Sequence, residues 1–264
     1  AKFGYKQDLK RSMRRFSSFA VSFSLISILT GIFANFHFGF SEVGNFITIS
    51  WAIVFIGQFI VALIMAELSV NYPISGYGYQ WTYRLVGPKL GFATGWLLLL
   101  QFLTGFPGIC KALSIVLSDL IFQNLNINIS SLLISVLIIW IVTFIHLRGI
   151  NLVSKINNIG VITEIIGVFM LIFFLGYFLI NKTDFDLISN QNNLSLSDFT
   201  LKSFALSILL GAWCLTGFEA AADMSEETKN PKYTVPKSIK YSLLSSGILG
   251  LIIILLSTVF LSIN

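Results

Sequence analysis

The apolar residues of this chain are gathered into seven long stretches, separated by shorter polar connections. A bilayer core of about 30 Å requires roughly 20 apolar residues for each helix that crosses it. The pattern therefore predicts an all-α integral membrane protein with about seven transmembrane helices. The stretches are Phe19 to Phe40, Phe46 to Met65, Phe92 to Leu113, Leu132 to Leu147, Ile159 to Ile180, Phe199 to Ala222 and Tyr241 to Ile263.

The composition supports a membrane protein. Hydrophobic residues make up 55% of the 264 residues and charged residues only 11%, whereas soluble domains carry about 25% charged residues. Both cysteines, Cys110 and Cys214, lie within apolar stretches, where a free thiol usually acts as a small hydrophobe. We therefore expect no disulfide framework, no metal site and no cofactor.

The basic residues predict the orientation in the membrane. All Lys and Arg residues except Lys111, Lys182 and Lys202 fall in the N-terminal tail or in every second connection. Short segments rich in Lys and Arg remain on the cytoplasmic side. We expect a cytoplasmic N-terminus and a location in the cell membrane. The alternative of a cleaved signal peptide is weaker, because the first stretch exceeds the usual core of roughly 7–15 residues and no small-x-small site follows it.

Two of the predicted helices contain sequence that disturbs a helix within the membrane. The first carries Ser27 through Gly31, and the sixth carries Gly211 and then Thr216 through Glu219. Five helices separate their starting points, so the two enter the membrane from opposite faces, as in an inverted repeat. Irregular backbone at this depth survives only where it lines a cavity or is covered by protein. A binding site and close packing through small residues both explain the pattern.

Two carboxylates lie within predicted spans. A charge at the centre of a bilayer costs at least about 2.5 kcal/mol unless it is paired or hydrated. Glu219 is predicted to face the protein interior, as part of a gate, as a partner for a cationic ligand or as a structural hydrogen-bond acceptor. For Glu164, a proton carrier and a salt bridge to a basic loop are both open. Trp213, one turn before Gly217, is a further candidate for a pocket.

The chain lacks the motifs of common enzymes. It contains no Gly-rich phosphate loop, no HExxH motif and no nucleophile elbow, so we expect no enzymatic activity. Ser225 to Pro236 is charged and contains two prolines, which predicts a solvated loop. A channel or a non-transport membrane subunit is the rival to a transporter. A channel favours a continuous polar stripe, whereas the polar groups here converge on the middle of two helices.

The residues after the sixth stretch resemble a known signature. Gly217-Phe-Glu219-Ala, followed by Ser225-Glu-Glu-Thr-Lys-Asn-Pro231 and Val235-Pro236, is similar to the sixth-helix signature of amino acid/polyamine/organocation (APC) permeases. The front of the chain resembles the amino acid and choline transporter branch of that family. Its matching segments are Ser22 to Ser27, Leu29 to Phe33, Ala66-Glu-Leu and Tyr72 to Gly76 through Gln80-Trp81.

This resemblance implies a LeuT-like fold of two inverted five-helix repeats, and secondary transport without ATP hydrolysis. The chain then divides into a basic cytoplasmic tail (1–18), the first repeat (19–180), an external loop (181–198) and helices 6 and 7 of the second repeat (199–264). We read it as part of a longer transporter. The expected partners are a small-molecule substrate, an amino acid or amine, and the lipid bilayer, with no nucleic acid.

The resemblance also implies a binding site for the substrate carboxylate. Leu29-Thr30-Gly31 matches the family's Gly-Ser-Gly break, whose backbone N–H groups and hydroxyl hold a carboxylate. A helix N-terminus suits that role. Leu29 replaces the first glycine, so a substrate without a carboxylate, such as choline, is the alternative.

The remaining implied roles belong to the amine and to ion coupling. Carbonyls around Ser27, Trp213 and Thr216 would receive the substrate amine. Phe218 and Glu219, after Gly217, match gating or recognition positions. Glu164 aligns with a fifth-helix lysine that serves proton coupling in some relatives. Because the charge is reversed here, coupling to protons, to sodium or to exchange is left open.

Overall fold

Helices account for nearly all of the chain that the structure describes. A computed structural model describes residues 9–182 and 200–263. Within these ranges the only extended pairing is an isolated bridge between Met13 and Thr228, and a short 3-10 turn covers Gly44–Phe46. The helices are α1 Arg15–Ile26, α2 Ile28–Val43, α3 Ile47–Asn71, α4 Tyr77–Leu85, α5 Pro88–Leu125, α6 Ser131–Leu147, α7 Ile150–Lys182, α8 Leu201–Cys214, α9 Ala220–Asp223 and α10 Pro231–Ile263.

The described helices confirm the all-α fold predicted from the apolar stretches. Among the described residues, four helical runs are long and apolar enough to cross a membrane, and one of them, Arg15–Asn71, contains the first two predicted spans. The other three are Pro88–Leu125, Ile150–Asn181 and Pro231–Leu261. The two shorter apolar helices, Ser131–Leu147 and Leu201–Cys214, correspond to the fourth and sixth predicted spans. Most of the predicted external loop, and the start of the N-terminal tail, lie outside the described residues.

One helix begins well before its predicted start. The last span was predicted from Tyr241, but α10 begins at Pro231, within the segment predicted to be a solvated loop. Proline suits the first position of a helix, because its φ is already helical and its missing N–H would have no partner there. Asn230, the residue before this helix, has a left-handed conformation with φ 50°. Hydropathy misses these turns because they are polar.

Among the described residues, the first compact unit contains 9–73, 157–182 and 200–263. Its centre is the contact between α3 and α10, where Trp51 donates its indole N–H to the carbonyl of Gly247 at 3.0 Å. A Cβ at Gly247 would collide with the ring of Phe55, and one at Gly250 with the ring of Trp51. Small residues thus allow these two helices to approach closely.

The second compact unit spans Ile74–Ile156. Its first helix, α4, was not predicted, because it is amphipathic rather than continuously apolar. Tyr77 and Trp81, one turn apart, form its buried side and meet edge to face with their ring centroids 5.7 Å apart. In the helix pair α5 and α6, the hydroxyl of Ser135 donates to that of Ser114 at 2.7 Å.

Candidate functional site

The first predicted break lies at Ser27, which has φ 40° and ψ 69° between α1 and α2. A left-handed conformation costs a residue with a side chain roughly 1–2 kcal/mol, so the surrounding structure must hold it in place. Thr30 and Gly31 lie in the first turn of α2. The Gly31 N–H donates to the Ser27 carbonyl at 2.9 Å. The N–H groups of the three residues before Gly31 therefore have no acceptor within the helix.

The second predicted break lies between the end of α8 at Cys214 and the start of α9 at Ala220. Gly217 has φ 107°, and a Cβ there would lie 2.9 Å from the carbonyl carbon of Leu25. Only glycine meets both requirements without strain. The Gly217 N–H donates to Oε2 of Glu219 at 3.0 Å. Glu219 therefore closes the turn of its own break, which is the structural role left open for it above.

One buried hydroxyl joins α1 to the second break. Ser22 in α1 donates to the carbonyl of Phe218 at 2.7 Å and accepts from the N–H of Ala221 at 2.9 Å. Both backbone groups belong to the irregular region around the start of α9. Ser22 is fully buried and Phe218 is only 2% exposed. The first half of the first broken helix, α1, is thus held directly against the break of the sixth.

The other half of the first broken helix, α2, packs against α8, the first half of the sixth. A Cβ on Gly31 in α2 would lie 2.8 Å from Sγ of Cys214, the last residue of α8. One on Gly39 would lie 3.3 Å from the side chain of Leu210. Glycines therefore set the distance between α2 and α8, so close packing accompanies the breaks and does not exclude a binding role.

Glu164 brings a third helix, α7, to the first break. Its carboxyl group lies against the backbone N–H of Leu29 and the hydroxyl of Ser27. Its Oε1 is buried and, among the described residues, has no hydrogen-bond partner. An acceptor oxygen that is buried without a donor is costly, and a proton on the carboxyl group or a further ligand would lower that cost.

The predicted site residues divide into two sets. Ser27 and Gly31 lie at the first break, and Gly217, Phe218 and Glu219 form the second. Trp213, Thr30 and Thr216 lie beside the breaks, but all three are exposed in the described chain, Trp213 by 61%. The Thr216 hydroxyl donates to the Trp213 carbonyl at 2.9 Å. The exposed set is therefore not gathered into a closed pocket by the described residues.

The prediction of site residues missed the groups that assemble the breaks. Ser22 and Cys214 are among them, and no pattern in the sequence marks either as a contact. Two adjacent amide side chains of α7 also bind α1. The Ser24 hydroxyl donates to Oδ1 of Asn157 at 2.8 Å, and Nδ2 of Asn158 donates to the Ser17 hydroxyl at 3.0 Å. Two adjacent amides in an apolar helix are a signal that could have identified this contact.

The donor set favours binding through hydrogen bonds and helix ends. In the described ranges no group of three or more His, Cys, Asp or Glu residues is close enough to hold a metal ion. The first break instead offers the N-terminal amide groups of α2 beside a carboxyl group. Such a helix end binds negative charge through its N–H groups and its dipole.

Comparison with known proteins defines the class. A sequence model of the amino acid permease family matches residues 14–264, nearly the full length of the chain. This chain belongs to the amino acid permease family, within the amino acid/polyamine/organocation superfamily. The LeuT-like fold expected from the resemblance is the fold of this family. The match also supports a multi-pass membrane protein.

Three relatives are 22–27% identical to the chain over the aligned residues. An Arabidopsis thaliana protein, amino-acid permease BAT1, is 27% identical over 89% of this chain and 49% of its own length. Branched-chain amino acid permease BcaP of Bacillus subtilis is 25% identical over 92% and 54%. Low-affinity putrescine importer PlaP of Escherichia coli is 22% identical over 76% and 43%. The chain thus spans about half the length of the curated relatives it matches.

Proposed function

We propose that the protein containing this chain is a secondary transporter that moves an amino acid or a related amine across the cytoplasmic membrane. The observation that carries the proposal is the pairing of two broken helices, joined by the hydrogen bonds from Ser22 to Phe218 and from Ala221 to Ser22. In inverted-repeat transporters, substrate sites are characteristically formed by breaks at matching positions in two helices that enter the membrane from opposite faces. Relatives named as permeases and an importer support the same class.

Alternating access follows from the physics of the two breaks. Each leaves backbone N–H and C=O groups without helical partners, and at this depth such groups need a ligand, water or protein to bind them. A bound substrate neutralises them, so the two half-helices can close around it. Without substrate the same groups favour a hydrated opening on one side. The N-terminus is cytoplasmic in this proposal, as the distribution of Lys and Arg predicts.

In the proposed site, the substrate carboxylate binds at the start of α2. The N–H groups of Leu29 and Thr30 and the Thr30 hydroxyl are the donors, with the α2 dipole adding to the attraction. Gly31 keeps this turn close to α8. On the opposite side, carbonyls at the ends of α1 and α8 receive the amine. These are the carbonyls around Ser27, Trp213 and Thr216, while Gly217, Phe218 and Glu219 form the gate.

Glu164 is proposed to couple transport to protons. Its carboxyl group lies against the Leu29 N–H, the donor that the substrate carboxylate would also need. Two negative charges at one donor repel each other in a region of low dielectric constant. A proton on Glu164 removes this repulsion, so substrate and proton bind together. Coupling to sodium, or exchange, leaves Glu164 without this role.

A carboxylate-free amine is the second candidate substrate, and the same contact favours it. If Glu164 stays charged against the Leu29 N–H, it acts as the built-in anion of the site and attracts a cationic substrate. Leu29, in place of the family's first glycine, also limits how closely a substrate carboxylate can approach. One relative is named as a putrescine importer, which fits a cationic substrate.

The test is uptake of labelled amino acids, choline and putrescine into liposomes that contain the full-length protein, with and without an inward proton gradient. We expect saturable uptake of one class, stimulation by the gradient, and loss of that stimulation in Glu164→Gln. Asp119→Asn, an exposed carboxylate of α5, is the matched control and should keep it. Uptake that does not saturate would indicate a channel, and a chemically altered product would indicate an enzyme. If the wild-type protein shows saturable uptake that the proton gradient does not change, the proposed coupling role of Glu164 is wrong and the transporter proposal stands.

A further inference from the structure

A cavity lies apart from the helix breaks, between the start of α1 and the first turns of α10. Its volume is about 370 Å³. Its lining includes Arg15 and Lys237, which lie close to the ring of Tyr233. The aromatic rings of Phe16 and Tyr241 form further parts of the wall. None of these residues belongs to the site proposed for substrate. The cavity therefore requires its own explanation.

Two cations from different helices converge on one aromatic ring in this cavity. The guanidinium carbon of Arg15 lies 5.0 Å from the centroid of Tyr233, and Nζ of Lys237 lies 3.9 Å from it. Lys237 also donates to the Tyr233 hydroxyl at 2.6 Å. The described residues that line the cavity include no carboxylate. Both cations lie within 5.0 Å of the same ring centroid and repel each other, so an anion that contacts both would stabilise the arrangement.

The position of the cavity suits a lipid better than a soluble anion. It lies at the end of the chain's membrane helices where Lys and Arg are concentrated, which is the side of the anionic cytoplasmic leaflet. Phe16 is 43% exposed and Tyr241 is 56% exposed. The ring centroids of Phe16 and Phe19 lie 6.3 Å apart, one turn along α1. They form an apolar path from the two cations toward the membrane interior, which a free phosphate ion would leave unused.

We propose that this cavity binds an anionic phospholipid, with its phosphate between Arg15 and Lys237 and an acyl chain along Phe16 and Phe19. Arginine binds phosphate through a planar fork of donors and lysine binds it as a point charge. The bound lipid connects α1 to α10. Since α1 is the first half of the first broken helix, the lipid favours the arrangement in which α1 stays packed against α10.

The test is the lipid that the full-length protein retains, measured by native mass spectrometry. The protein is equilibrated with an equimolar mixture of phosphatidylglycerol and phosphatidylcholine. We expect wild-type protein to retain phosphatidylglycerol in preference. Arg15→Gln combined with Lys237→Gln should reduce that preference about tenfold, since each lost cationic contact weakens binding to an anionic headgroup. Phe16→Ser should weaken retention of phosphatidylglycerol and leave binding of glycerol phosphate unchanged.

A matched pair keeps the test specific. Arg14→Gln combined with Lys232→Gln removes the same charge from exposed neighbours that do not line the cavity, and should keep the wild-type preference. Equal loss in both pairs, or no loss in the first pair, would overturn the proposal. Displacement of phosphatidylglycerol by millimolar inorganic phosphate, with Phe16→Ser binding as wild type, would overturn it in favour of a soluble anion. Each variant is first checked for a single, monodisperse species, so that misfolding is not read as lost binding.

Discussion

The hydroxyl of Ser22 donates to the carbonyl of Phe218 at 2.7 Å, across 196 residues of sequence. The same oxygen accepts from the Ala221 N–H, so one small side chain partners two backbone groups that helix geometry leaves free at the second break. Groups of this kind are otherwise costly in a buried, apolar environment. Ser22 therefore lowers the free-energy cost of burying the second break against α1.

Replacement of this hydroxyl should destabilise the folded protein. Ser22→Ala leaves the Phe218 carbonyl and the Ala221 N–H buried without a partner, at about 1–3 kcal/mol for each group. We expect a lower apparent melting temperature of the full-length protein in detergent. Size-exclusion chromatography after heating measures it. Ser41→Ala is the matched control, because the Ser41 hydroxyl is exposed and bonds only within α2. Equal melting temperatures for wild type and Ser22→Ala would show that water replaces the hydroxyl.

The contact between Gly31 and Cys214 predicts a coupled pair of substitutions. Gly31→Val should abolish substrate binding, because its branched side chain collides with Sγ of Cys214, only 2.8 Å from the position of the Cβ. Gly31→Ala should weaken binding less, and adding Cys214→Ala should restore part of the loss. Binding is measured by the thermal shift that saturating substrate produces. Gly105→Ala, with open space around its position, should behave as wild type. Unchanged affinity in Gly31→Val would remove this turn from the substrate site.

Neutralising Glu219 should distinguish the role of its negative charge from the role of its hydrogen bond to the Gly217 N–H. Glu219→Gln keeps an oxygen that can accept from the Gly217 N–H, so the turn at the second break should survive. The negative charge is lost, and with it the proposed gate or recognition of a cationic group. We expect the maximal uptake rate to fall at least about tenfold, with folded yield near wild type. Normal uptake kinetics would leave Glu219 with the structural role alone.

The loop after α9 predicts a pH-dependent effect on stability. Glu227 lies beside the tail residue Met13, whose N–H donates to the Glu227 carbonyl at 3.0 Å. Partial burial raises the pKa of the Glu227 side chain, and its Oε2 is buried without a hydrogen-bond partner in the described chain. A carboxyl group with a raised pKa in the folded state stabilises the fold below its unfolded pKa of about 4.3. That contribution is lost as pH rises through the folded value.

Glu227→Gln should therefore unfold at a higher temperature than wild type at neutral pH. The difference should shrink as the pH is lowered toward about 4, where the wild-type carboxyl group is also neutral. Thermal unfolding over that pH range measures it. Glu67→Gln, at an exposed position near the end of α3, serves as the charge-matched control. A Glu227→Gln protein less stable than wild type at neutral pH would contradict the account.

Several features could be predicted from sequence because they depend on local composition. The apolar stretches locate the spans, since a membrane helix must satisfy its backbone internally and expose apolar side chains. The breaks near Ser27 and Gly217 could be located because glycine and polar residues weaken a helix wherever they occur. The start of α10 at Pro231 and the helix α4 were missed for the converse reason. Their turns are polar or amphipathic and carry no hydropathy signal.

The sequence by itself determined the class of this protein: a multi-pass helical membrane protein with two interrupted helices and the signature of amino acid permeases. Tertiary structure alone decided which residues meet. Ser22 binds the second break, Cys214 faces Gly31, and Glu164 reaches the Leu29 N–H. These contacts join positions far apart in the chain, and they depend on how helices rotate and approach one another. No local pattern of residue types encodes that rotation, because it is set by the packing of all the helices together.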